Sequence, residues 1–107
     1  MTCANHPTVL DSNLNDYSAA YKRFGILNPR LLARLNPVVK FWAFGMVCGL
    51  QMRGPDCAAD CFSVEMGIAE GWLSPEGLDV ICAFIGPTRG DRDHLPGPQR
   101  CERMRRC

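Results

Sequence analysis

The sequence predicts an all-α protein: a compact small helical bundle of four helices plus one short helix, with a flexible C-terminal tail. Three observations carry that expectation. Apolar residues recur at helical spacing, Asn-Pro, Ser-Pro and Gly mark helix starts and stops, and no stretch sustains the period of two expected of a half-buried strand. Leu, Ile, Val and Phe supply 25 of the 107 residues, enough for one modest core. We therefore expect a helical domain at 1–87 and a basic, Pro/Gly-containing tail at 88–107.

The first helix is predicted to start at an Asn13 cap, with Leu14, Tyr17, Tyr21 and Phe24 on one face. Asp16 near its start and Lys22-Arg23 near its end suit the helix dipole, and Gly25 can terminate it. Asn28-Pro29 and Asn36-Pro37 repeat one device: the residue before proline leaves the helical region and caps, while proline fits the first helical position. A short helix at 29–35 and a long one at 37–53 follow. The long helix is apolar almost all round, broken only by Lys40 and Gln51, as a central buried helix is. Within it, Gly45 and Gly49 would let a neighbouring helix approach closely. A further helix spans 56–70, where Asp56, Asp60, Ser63, Gly67 and Glu70 form one polar stripe opposite Glu65. Ser74-Pro75-Glu76 then opens the last predicted helix, 75–85, before Gly86-Pro87.

The N-terminal residues show neither a positive n-region nor an apolar h-region, which predicts a cytoplasmic chain. The longest apolar run, residues 41–50, falls short of the roughly 20 residues that span a bilayer, so no membrane association is expected. Seven cysteines are an odd set, and Cys48 and Cys82 fall in apolar helical runs where a reduced thiol packs as a small hydrophobe. The predicted state is therefore reduced.

Charge is segregated along the chain. Residues 1–53 carry a net +4, residues 54–87 carry −6 without one Lys or Arg, and the tail carries +3. With an overall charge of +1, the chain lacks the basic balance of a dedicated nucleic-acid binder. The acidic block supplies the candidate partner-binding residues: Asp56, Asp60, Glu70, Glu76 and Asp79. Some of these acids sit in helix first turns, where the dipole alone accounts for them. Facing outward together, they would dock on a basic surface, steering encounter more than adding affinity.

No Gly-x-Ser-x-Gly, His-Glu-x-x-His, phosphate-loop or dinucleotide pattern occurs, and no local pattern sets His6 or His94 beside a cysteine. We expect neither catalysis nor a cofactor. The reading that follows is a small intracellular protein acting by protein–protein binding. It would be a stoichiometric inhibitor docking its acidic face on the basic, nucleic-acid-binding groove of a larger protein or nucleoprotein complex, in the manner of phage or plasmid counter-defence proteins. One alternative is a thiol or zinc site built from Cys57, Cys61, Glu65 and Cys82, although this spacing lacks the short knuckles of structural zinc sites. Another is nucleic-acid association through the Arg-rich tail. Two apolar-rich helices in so small a chain also raise homodimerisation.

Overall fold

The structure is a computed structural model and describes residues 2–3, 6–53, 57–90 and 94–107. It corrects the all-α expectation, because the fold is mixed α/β. In chain order the described elements are β1 (Thr2–Cys3), β2 (His6–Leu10), β3 (Ser18–Ala20), β4 (Gly25–Leu27), α1 (Pro29–Leu32), α2 (Pro37–Met52), α3 (Cys57–Glu70), α4 (Pro75–Ile85) and α5 (Gly97–Met104). Strands β2, β4 and β3 form a mixed sheet in which β4 runs parallel to β2 and antiparallel to β3. The two-residue β1 pairs antiparallel with β2, giving the order β1-β2-β4-β3.

The helix expected at 13–24 is absent, and local chemistry explains why. Asp11 accepts a hydrogen bond from the Asn13 N–H at 2.9 Å, and Asp16 one from the Tyr17 N–H at 2.7 Å. Such side-chain-to-backbone bonds compete directly with helix formation. The Tyr21 N–H then donates to the Phe24 carbonyl at 2.8 Å, closing the turn between β3 and β4. The helix-like spacing of the aromatics serves a different geometry. Tyr21 stacks on Phe24 across this turn at 5.0 Å, and Tyr17 meets Phe84 of α4 edge-on at 5.6 Å.

The predicted punctuation appears at α1, α2 and α4. Asn28 accepts from the N–H groups of Arg30 and Leu31, Asn36 from that of Val38, and Ser74 from that of Gly77. Asn28 is also fully buried, and its amide donates to the Leu14 carbonyl at 2.8 Å, tying the loop before β3 to the start of α1. Gly71, at φ +83°, ends α3 in the left-handed region that glycine tolerates.

Helix α2 is central, as its all-round apolar surface requires. Val39, Trp42 and Met46 join Ala59, Val64, Ile81, Ile85 and Met104 in one core cluster with α3, α4 and α5. Ala43, Phe44 and Val47 face a second cluster with Leu27 and Leu32. The expected glycine approach is present. A Cβ on Gly49 would lie 2.8 Å from the Ala59 backbone, and one on Gly45 would overlap the Ser63 hydroxyl. Ala59 and Ser63 of α3 fill that approach.

The segment expected to be a flexible tail contains α5. Its start abuts the end of α4, where the Gly97 N–H donates to the Thr88 carbonyl at 3.0 Å. Its far end buries Met104 almost completely. Three disulfides complete the fold: Cys3–Cys48 joins β1 to α2, Cys82–Cys101 joins α4 to α5, and Cys61–Cys107 joins α3 to the chain end. Their Cα separations of 5.4, 5.5 and 5.4 Å lie in the ordinary disulfide range. These bonds overturn the expected reduced, cytoplasmic state and point to an oxidising, extracellular or secreted environment. An odd count concealed them: six cysteines pair, leaving Cys57, whose side chain lies outside the described residues. No helix among the described residues is long and apolar enough to cross a membrane.

Gly49→Ala tests the α2–α3 approach, because a backbone atom rather than a flexible side chain blocks the added methyl. We expect a loss of about 1–3 kcal/mol in urea unfolding with all disulfides intact. An unchanged midpoint would contradict the close approach.

Candidate functional site

Which way α3 faces decides the fate of the acidic docking surface. The α2 glycines admit Ala59 and Ser63, and Gly67 is buried against Trp72 and Leu73, so part of the polar stripe is a packing face. Asp60 lies on that face and is 1% exposed. The Ser63 hydroxyl donates to the Trp42 carbonyl at 3.1 Å, also in the interior. Meanwhile Ile68, an apolar residue, is 61% exposed.

Asp60 is neutralised by Arg100 of α5. Arg100 Nε donates to Asp60 Oδ2 at 3.0 Å and Nη2 to Oδ1 at 2.8 Å, a bidentate pair that matches the guanidinium fork to both carboxylate oxygens. The Arg100 guanidinium also lies 5.3 Å from the Trp42 ring centroid, and Nη2 lies 3.6 Å from Met46 Sδ. Cation–π attraction thus adds to the ion pair on the same group.

The other predicted docking residues are scattered in role. Asp79 is exposed but pairs with Arg105 at 2.7 Å. Glu70 and Glu76 are exposed, with no ion pair among the described residues. Asp56 lies outside the described residues. A continuous outward acidic face centred on Asp60 is therefore not what the fold builds.

The thiol or zinc set does not assemble either. Cys61 and Cys82 are bonded to Cys107 and Cys101, so they hold no thiolate for a metal. Glu65 instead pairs with Arg53 at 3.0 Å. Among the described residues, no group of three His, Cys, Asp or Glu side chains could hold an ion. In the Arg-rich segment, Arg100, Arg105 and Arg106 are engaged with Asp60, Asp79 and Glu102.

The fold does build a cleft of about 810 Å³ between α2, the β3 region and the segment leading into α5. Trp42, Met46 and Leu50 line it from α2, and Phe84 and Ile85 from the end of α4. Residues 16–20 form another side. Polar groups enter from Arg89, His94 and Arg100, with Asp16 on the β3 side. Trp42 is 6% exposed, and its indole N–H has no hydrogen-bond partner among the described residues. An unsatisfied buried donor of this kind costs about 1–3 kcal/mol. No periodic pattern could have revealed the cleft, since its sides come from four separate stretches of chain.

Asp60→Asn removes the charge while keeping shape, and it leaves the largely buried Arg100 cation unpaired. We expect a loss of about 3 kcal/mol in chemical denaturation, partly restored by adding Arg100→Gln. A change below about 0.5 kcal/mol, the level of an ordinary surface substitution, would contradict the buried pair. In comparisons of sequence and structure, the chain matches no protein-family model, no curated protein and no solved structure.

Proposed function

We propose that this chain is a non-enzymatic binding protein of an oxidising compartment that holds a small, largely apolar ligand in the cleft beside Trp42. The observation that carries this reading is the cleft itself, lined by apolar side chains of α2 and the end of α4. An apolar lining with a few polar groups at its margin is the usual composition of a small-molecule site. The cleft volume, about 810 Å³, lies within the usual range for such sites. Rigid surroundings favour the same reading. Cys82–Cys101 and the Asp60–Arg100 pair fix α5, whose Arg100 lines the cleft, so little ordering is left to oppose binding.

Binding of another protein is the second reading, favoured by the exposed carboxylates of Glu70 and Glu76. It no longer includes Asp60, and it does not rest on a cytoplasmic setting.

Titration with N-phenyl-1-naphthylamine, a neutral apolar fluorophore, tests the cleft reading. We expect saturable enhancement with the native protein and at least a roughly tenfold weaker affinity for Ala19→Phe, which places a ring in the cleft. Absence of saturable binding to the folded native protein would refute the reading, as would equal affinity of the variant.

A further inference from the structure

We propose that the ligand of this cleft is an extended peptide segment of about five residues, apolar at its centre, which adds a strand to the edge of β3. This inference rests on the cleft reading and names the chemical class of the ligand. Three observations lead to it.

The first is the edge itself. Strand β3 ends the strand order and pairs with β4 alone among the described strands. The Tyr17 carbonyl accepts from the Asn28 N–H at 2.9 Å, and the Tyr21 N–H donates to the Phe24 carbonyl at 2.8 Å. In an antiparallel ladder such bonds recur at every second residue, so Tyr17, Ala19 and Tyr21 turn their backbone polar groups toward β4. Ser18 and Ala20 turn their N–H and C=O groups away, where these have no partner among the described residues.

The second observation is where that edge lies. Successive side chains of a strand point to opposite faces, so a cleft over one face would meet alternate residues only. All of residues 16–20 line this cleft, which therefore runs along the strand edge. At about 3.3 Å per residue, a matching extended segment holds about five residues. Met46, Leu50 and Phe84 offer apolar contact to its side chains, as the pockets beside an added strand do.

The third observation is charge. The cleft carries both signs at its margin: Asp16 just before β3, and Arg89 after α4. Both are exposed and have no ion pair among the described residues. A peptide with one basic and one acidic flank complements both, whereas a neutral lipophile complements neither.

The test uses acetyl-Lys-Val-Leu-Val-Glu-amide and its reverse, acetyl-Glu-Val-Leu-Val-Lys-amide. They set the lysine beside Asp16 in a parallel and an antiparallel added strand, respectively. Displacement of N-phenyl-1-naphthylamine reads affinity, and NMR reads amide hydrogen exchange. We expect at least one peptide to displace the dye saturably and to slow exchange at Ser18 and Ala20 about tenfold or more. N-methylation of its leucine and of its first valine, tested separately, should weaken binding unequally. The loss should be about 5-fold or more at the amide facing β3 and under about 2-fold at the other. Equal effects of the two methyl groups would overturn the assignment, as would unchanged exchange at peptide saturation. If neither peptide displaces a dye that binds, the peptide assignment falls and the cleft reading stands. If the dye fails to bind as well, both fall. Protection of the same amides in peptide-free protein that rises with protein concentration would put a second copy on the edge and overturn the assignment.

Discussion

The covalent attachment of the C-terminal segment is the constraint on which the rest of the structure depends. Helix α5 has little apolar surface, and its sequence, GPQRCERM, would not by itself hold a docked helix. Two disulfides at the C-terminal segment, from Cys101 to α4 and from Cys107 to α3, fix where Arg100 can reach. Arg100 then meets Asp60 and lies over Trp42, and Met104 enters the core. In the loop-entropy account, closures of this length contribute about 3–4 kcal/mol each. That is a large share of the 5–15 kcal/mol available to an ordinary domain. Ordering α5 also supplies one side of the cleft.

Helices α2 and α4 were legible because their starts depend on local chemistry. Asn36-Pro37 and Ser74-Pro75 cap in the structure as their side chains permit anywhere in a chain. The glycine pair on α2 was legible for a similar reason, since the absence of a Cβ at positions 45 and 49 is a local fact with one packing consequence. Strands β3 and β4 were not legible. Each is three residues long, too short for alternation to register, and their pairing with β2 depends on contacts distant in sequence.

The candidate site was misread where polarity was equated with exposure. On α3 the glycines of α2 take Ala59 and Ser63 into the interface, so Ser63 turns inward and Asp60 is buried with it. The side chain that makes a buried Asp60 tolerable, Arg100, lies 40 residues away in a segment resembling a linker. The cysteines posed the same difficulty. A core thiol and a core disulfide occupy the same apolar positions, so Cys48 and Cys82 fit either pattern. Only tertiary proximity separates the two, and it also reverses the inference about compartment. The cleft, with its unpartnered indole, is a product of assembly and has no sequence signature of its own.

Disulfide mapping tests the central claim most directly, by mass spectrometry of peptides cleaved from unreduced protein made in an oxidising compartment. Of the pairings open to the seven cysteines, the account predicts Cys3–Cys48, Cys61–Cys107 and Cys82–Cys101. Any other pairing in the folded protein, or alkylation of Cys82, Cys101, Cys61 and Cys107 without reductant, would contradict it.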